Sequence, residues 1–486
     1  NAFSLEKLRW GADFESGAPY SYKDPDDPTR IIGFETEIVH ALAEELKMEV
    51  EPVQNNWDGL VEGLKRKDYD IVANGLEITP DRAEVVNFSI PYYITAETLT
   101  VRKTTYDINT LEDAKGRRVG TLDGSLAQRI LNEQKFPVEV VSYNEEVHIY
   151  EDLGFSRIDA VLLDEPVALY YGKPNANLKS VGPPIGYMEY GIAIRKEDKA
   201  LLSAVNQALH RLIQSGRLRE ILEKWGLWNT MTATAWKMDA TPKTPATSYE
   251  KYLETAYAKR GFKEKLERYI SFLPLLGKGA LMTLNISILA MILAMSVGLI
   301  VALSNLYGPK PLSWLAISFV EIFRGTPLLI QLYLIFYGLP HIGIRLDPFV
   351  AAVIGIGVNY GAYEAEIYRA GILSVPREQL DASLALGMSR PQSLFHIVIP
   401  QAVRVVIPPV TNDFIALLKD SSLVSVISMV ELAATYGQLA STYFDYLGIG
   451  LLTAALYFLL GLPFVRLSRY FETHLNVHKK VGRKLV

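Results

Sequence analysis

The 486-residue chain contains no cysteine, which excludes disulfides, thiolate nucleophiles, cysteine metal sites and a cysteine lipid anchor within it. That absence fits an oxidising or a reducing compartment equally. Asn1-Ala2-Phe3-Ser4 lacks the basic start and apolar core of a secretory signal, so an extracytoplasmic first half implies a targeting segment removed or left out. No G-x-x-x-x-G-K-S/T phosphate loop occurs, and the chain is expected not to hydrolyse ATP by the usual route. The seven histidines show no metal-ligand spacing, no catalytic triad motif is recognisable, and no basic cluster interleaves with aromatics. With a net charge of -5, these gaps argue against a nucleic-acid partner, a resident metal or cofactor, and a self-contained enzyme.

What is present falls into unlike halves. The length leaves room for two or three domains, and the 49% hydrophobic and 21% charged composition is an average. Residues 1–230 read as an acidic soluble protein; beyond about residue 275 apolar runs dominate. Five stretches are candidate membrane spans, at about 280–303, 312–338, 348–373, 401–429 and 448–465. Several carry charge: Glu321 and Arg324 in the second, Glu364, Glu366 and Arg369 in the third, Asp413 and Lys419 in the fourth. Each such charge facing lipid costs at least about 2.5 kcal/mol, so they should face a partner, water or substrate. Pro408-Pro409 is expected to interrupt the fourth span. Arg466, Arg469, Lys479, Lys480, Arg483 and Lys484 follow the last span, whereas residues 430–447 hold no Lys or Arg. The tail is therefore placed inside and, after five crossings, residues 1–275 outside.

On the inner side falls the segment Asp381-Ala382-Ser383, three residues, Gly387-Met388, then Ile397-Val398-Ile399-Pro400. Pro376–Met388 can form a short amphipathic helix ended by Gly387 or by Ser389-Arg390-Pro391. This segment resembles the EAA loop of binding-protein-dependent ABC importers, which docks on an ATPase; the family prefers Glu-Ala-Ala at the start and Leu-Pro at the end. The resemblance assigns residues 376–400, and Asp381, Ala382, Gly387 and Met388 in particular, to ATPase coupling. Three further stretches resemble the polar amino-acid permeases of that class: Glu321-Ile322-Phe323-Arg324-Gly325-Thr326-Pro327, Ala365-Glu366-Ile367-Tyr368-Arg369-Ala370-Gly371, and Asn412 through Asp420. It implies a separate dimeric ATPase carrying ATP and Mg, a second copy of this chain, and a bacterial inner-membrane location. Glu321 with Arg324, and Glu366 with Arg369, are spaced to pair along one helix. Glu364 is a carboxylate where the subfamily usually has a neutral residue, and with Asn359 and Asp413 it is expected to line the substrate pathway or, alternatively, to sit in a buried ion pair.

The first half alternates short β-rich runs with amphipathic helices, an α/β pattern. Leu8–Ala12, Asp70–Ala73 and Ile158–Leu163 read as strands and Phe34–Leu46 as a helix, with a crossover between two lobes near Val101–Lys103 and a return near Tyr190–Ile194. Pro19-Tyr20-Ser21, Gly33-Phe34, Trp57-Asp58-Gly59-Leu60, Ile78-Thr79-Pro80-Asp81-Arg82 and Asn87 through Tyr93 resemble the periplasmic amino-acid-binding proteins across residues 1–228. The resemblance implies two lobes closing on a free amino acid. It assigns the α-carboxylate to Arg82, whose planar fork lysine cannot offer, with Gly75, Thr79 and Ser125, and the α-ammonium to Asp164. Read alone, Arg82 is equally a surface charge and Asp164 a helix cap before Glu165-Pro166. Asp13 and Phe14, with Trp57 as the second wall of an aromatic clamp, are assigned to the side chain. Asp13, Glu77 and Asp164 around one Arg82 leave surplus negative charge, which favours arginine, lysine or histidine, with glutamine as the alternative.

The expected fold is thus a two-lobed α/β binding domain (1–228), a linker (229–248), an interfacial helix (249–274) with Tyr252, Tyr257, Phe262 and Tyr269, and an all-α five-helix membrane domain (275–486). Rival readings are a ligand-gated channel and a transmembrane sensor. The first would insert its pore between the lobes, and the second would need more than the short stretch after the last span.

Overall fold

The computed structural model describes residues 6–14, 18–27, 29–143, 146–256, 261–443 and 445–475. The middle of the Asp13–Pro19 loop, Tyr257 and the tail cations Lys479, Lys480, Arg483 and Lys484 lie outside them. The chain forms two compact units, one from Asn1–Leu266 with Gly437–Tyr446 and one from Glu267–Tyr436 with Leu447–Val486.

The first unit has two lobes, each on a five-stranded sheet. In lobe one the strands run Glu49–Gln54, Lys7–Ala12, Ile71–Val72, Ala193–Ile194, Asn87–Phe88 across the sheet. The first three are parallel and the last two antiparallel additions. Helix Phe34–Leu46 covers this sheet with Phe34, Ile38 and Leu42 fully buried, each worth about 1.5–3 kcal/mol of apolar transfer. Lobe two is ordered Leu178–Tyr190, Tyr93–Arg102, Ala160–Asp164, Arg118–Leu122, Glu139–Tyr143. The chain passes between lobes just before Tyr93 and just after Tyr190. The outward crossover therefore precedes the expected Val101–Lys103: the run Tyr93–Arg102 is buried almost throughout because it is a central strand of lobe two, flanked on both sides. The strand Glu49–Gln54, which the sequence reading omitted, pairs with Lys7–Ala12 in full register; Pro52 and two glutamates hid it.

Helices Lys199–Gln214 and Arg217–Lys224 return to lobe one. The expected linker is partly helical, at Thr230–Ala235, and lashed down: Trp228 Nε1 donates to Asp239 O at 3.2 Å, Arg219 to Thr241 O at 2.7 Å, and Thr244 N to Glu223 at 2.8 Å. The expected interfacial helix divides in two. Thr247–Ala256 packs Tyr252 into the binding domain, its ring centroid 4.7 Å from that of Tyr170, so this aromatic serves a soluble core and not a bilayer surface. The remainder opens the long helix Phe262–Tyr307.

The second unit is helical. Among the described residues three helices are long and apolar enough to cross a membrane, Lys263–Tyr307, Arg390–Ile427 and Tyr446–Phe471, or four if a bent pair counts as one span. That pair is Lys310–Gly325 and Leu328–Ile342, bent by 107°. The expected continuous second span is thus broken at Thr326-Pro327, where Pro327 removes a donor. Gln331 Nε2 repairs the break, donating to Phe323 O at 2.9 Å and Thr326 O at 3.1 Å, and Asn359 Nδ2 reaches Phe323 O at 3.1 Å. Pro348–Leu373 is a continuous helix of 26 residues but falls outside the apolar set. Pro408-Pro409 does not interrupt the fourth: Ile399–Asp420 runs through both prolines. Buried Glu431 caps a helix start through Ala433 N (2.7 Å) and Ala434 N (2.9 Å) and ties in Thr283 and Tyr457, both at 2.9 Å.

Candidate functional site

Between the two lobes lies a cavity of about 20 Å³, room for roughly one water. Trp57, Gly75 and Glu77 line it from lobe one, Ser125 and Asp164 from lobe two, with Tyr20, Asn74 and Glu146 completing the wall. The lobes are joined across it. Leu126 N donates to Glu77 Oε1 at 3.1 Å, Arg82 Nη2 to Gly124 O at 3.4 Å, Tyr20 Oη to Asp164 at 2.8 Å, and Arg129 bonds Asp81 at 2.8 Å. An amino acid does not fit this closed arrangement, so entry requires the lobes to part.

Local sequence explains the placement of each group. Thr79 and Ser125 are N-caps, accepting from Arg82 N (3.4 Å) and Gln128 N (3.2 Å). Their helices begin at the cavity, turning Arg82 and the Leu126 N–H toward it. Gly75 sits at φ +61° with the Tyr20 ring 2.9 Å from where a Cβ would be, so only glycine fits this approach. Arg82 pairs with Glu77 and lies 5.1 Å from the Trp57 ring centroid. Its side chain is 18% exposed, which removes the surface-charge reading. Asp164 heads the helix after it without capping it; its carboxylate instead accepts from Tyr20 and Tyr190. Burial, then Glu77, raises the Asp164 carboxyl above the usual carboxylate range, against the pull of the two tyrosines. Burial and then Asp164 hold the Tyr20 and Tyr190 hydroxyls well above the ordinary phenol range, so both remain donors.

Four expected residues do not line the cavity: Thr79 and Arg82 stand beside it as helix cap and as ion-pair partner of Glu77, and Phe14 and Asp13 are elsewhere. Phe14 is 4% exposed and packs edge-on to Trp10 at 5.3 Å, a core contact and not a cleft wall. Asp13 accepts from Trp57 N at 2.9 Å and Gln54 Nε2 at 3.1 Å; it fixes Trp57 in place and does not line the cavity. Trp57 is held at its other end by Nε1 donating to Asn74 O at 3.1 Å.

The membrane unit contains its own polar cavity, of about 570 Å³. Arg324, Asn359, Tyr360, Asp413 and Asp420 line it, beside the break at Thr326-Pro327. Asn359 and Asp413 are thus brought together as expected, and Glu364 is not among the lining residues. It is fully buried, its Cβ 2.5 Å from where a Cβ on Gly298 would stand: a glycine on the long first helix lets the two helices approach over it. Glu366 and Arg369 pair at 2.7 and 3.0 Å, whereas Arg324 leaves Glu321 and lies over the Tyr363 ring at 5.1 Å.

In the expected coupling segment, helix Arg377–Ala385 ends at Leu386 and Gly387 turns the chain at φ +85°. A capping box at Ser389 and Gln392 starts the next helix. Ser383 and Ser393 join the two at 2.7 Å. Asp381, Ala382 and Gly387 are exposed, Met388 half-buried.

The description "Bacterial extracellular solute-binding proteins, family 3" matches residues 8–227, and "Binding-protein-dependent transport system inner membrane component" matches 281–477. The L-cystine transport system permease protein TcyB of Bacillus subtilis is 47% identical over 33% of this chain and 69% of its own length. The glutamine transport system permease protein GlnP of Escherichia coli is 35% identical over 42% of this chain and 94% of its own. The chain is an amino-acid ABC transporter permease fused to a family-3 solute-binding domain. An ancestral arginine-binding protein solved with arginine is 33% identical over 46% of this chain and 99% of its own, with a TM-score of 0.43.

In this permease fusion the sequence motifs located the cleft but missed Tyr190, Asn74 and Glu146. Tyr20 stood inside a quoted motif without a role, and Tyr190 at the return crossover. For Tyr190 the signal was its position beside a lobe crossing.

Proposed function

We propose that this chain captures a basic amino acid (arginine, lysine or histidine, with glutamine as the alternative) outside the bacterial inner membrane and passes it through its own five-helix pore. A separate dimeric ATPase, which carries ATP and Mg, engages residues 376–400, and two copies of the chain form the passage. Arg324, Asn359 and Asp413 line the route within the membrane. Because TcyB is named for cystine and GlnP for glutamine, substrate choice belongs to this chain's own cleft.

One observation carries the basic substrate. Glu77 is held by Arg82 and by the Leu126 N–H at a helix start, the donors suited to an amino-acid carboxylate. An incoming α-carboxylate displaces Glu77 from both. The displaced carboxylate then lacks a cation in a desolvated cleft, and a basic side chain supplies one. Calorimetry of the purified full chain against a panel of amino acids tests this. Arginine or lysine should bind tightest, and Glu77→Gln should reduce the preference for arginine over glutamine about tenfold. Tightest binding to an acidic or aliphatic amino acid would overturn the assignment. Uptake into proteoliposomes without an ATPase would overturn the coupling.

A further inference from the structure

Arg82 and a helix N-terminus account for Glu77, and two tyrosines account for Asp164. One carboxylate beside them is accounted for by nothing. Glu97 is 0% exposed, and neither of its oxygens has a hydrogen-bond partner among the described residues. It lies on strand Tyr93–Arg102 directly opposite Asp164 of the antiparallel neighbour. Directly opposed residues leave the sheet on the same face with Cβ atoms about 5 Å apart. Asp164 lines the cavity and Glu97 does not; Glu97 shares the Asp164 face one strand behind it.

We propose that Glu97 is a second carboxylate receptor for the α-ammonium of the bound amino acid, shared with Asp164. This rests on the amino-acid reading of the cleft and adds a residue to it. The charge pattern supports it. Glu77 and Asp164 act on Glu97 electrostatically, Tyr150 contributes a neutral hydroxyl, and Arg82, already tied to Glu77, is the cation of this wall. Burial, with Asp164 and Glu77 adding to it, pushes the Glu97 carboxyl well above the usual range; the Ala127 N–H lies near enough to offset part of this without meeting hydrogen-bond geometry. An unpartnered buried carboxylate is costly, and taking up a proton relieves that cost. An ammonium arriving between Glu97 and Asp164 reverses the balance, and the proton leaves as the ligand binds. A residue serving only to fill space would do none of this.

The test is calorimetry on the full chain in nanodiscs near pH 7, with arginine and glutamine each titrated in buffers of different ionisation enthalpy. Wild type should release up to about one proton with either ligand. Glu97→Gln should weaken both ligands alike by about tenfold, remove most of the proton release and leave the unfolding temperature unchanged or raised; Glu97→Asp should restore part of the affinity. No proton exchange in wild type, unchanged binding in Glu97→Gln, or a loss confined to arginine would each overturn the proposal. Absence of binding of any amino acid to wild type would instead sink the reading on which it rests.

Discussion

Two polar cavities of this protein, one in each unit, are built on opposite terms. The cleft between the lobes of the binding domain has about 20 Å³ of free space and is sealed by hydrogen bonds from both sides, with Glu77 held by Arg82 and the Leu126 N–H. The cavity in the membrane domain is some 570 Å³. Its cation Arg324 lies over an aromatic ring and is tied to neither Asp413 nor Asp420 by an ion pair among the described residues. A site that must recognise one solute gains from desolvated, fully directed groups. A passage gains from polar groups that meet the solute without holding it, since conduction requires weak occupancy. The same residue types, Arg, Asp and Tyr, serve both, and burial decides which.

The largest expected effect tests the sealed cleft. Arg82→Lys keeps the charge and loses the fork; amino-acid affinity of the full chain should fall about 100-fold, the worth of two charge-assisted hydrogen bonds. Calorimetry that found Lys equivalent would break the contrast. Next comes the pH response of lobe one. Burial pushes the Glu35 carboxyl up to about 7 despite bonds from Tyr92 and Gly75 N. The folded state then holds a proton that the unfolded chain has released above about pH 4.5, so stability falls as pH rises from there through about 7 and is flat beyond. The fall should be on the order of 2 kcal/mol between pH 5 and 8, read as the denaturation midpoint of the soluble domain's transition. Glu35→Gln should flatten it, and an unchanged slope would show the burial cost to be relieved in another way.

A smaller effect is expected in the open cavity. Asp413→Asn should slow ATP-driven uptake about tenfold while amino-acid binding, measured on the same preparation, stays within twofold of wild type. Loss of both together would erase the distinction between capture and passage. The smallest concerns the segment 376–400. Gly387→Ala forces an L side chain to φ +85°, costing about 1–2 kcal/mol locally. ATPase stimulation should drop severalfold with binding intact; an unaffected rate would indicate that this turn is not part of the coupling surface.

How far the sequence reached differs between the same two regions. In the cleft, Gly75 and Glu77 from one lobe and Ser125 and Asp164 from the other meet around one cavity, with Arg82 paired to Glu77 beside it, because strand ends and helix caps fix where such residues emerge. Phe14 and Asp13 were misplaced since adjacency to the first strand does not say which face a side chain takes. In the membrane half the charged positions were visible, but their pairing was not. Glu366 and Arg369 met along a helix as spacing allows, whereas Arg324 chose a ring on another helix. Glu364, expected to line the pathway or to sit in a buried ion pair, went into a helix contact over Gly298.

By itself the sequence determined the division into an α/β receptor and a helical pore, the helix Phe34–Leu46, the capped turns that carry Arg82 and Ser125, and the helix-turn-helix of residues 377–393. All of these follow from local periodicity, caps and left-handed glycine positions, which depend on neighbours in the chain. The tertiary structure alone decided that Glu77 holds Arg82, that Glu97 stands opposite Asp164 with nothing to bind, and that the second span breaks at Pro327. These depend on which distant segments meet and how much water they exclude, and the energy of a buried charge is set by that exclusion and not by its place in the chain.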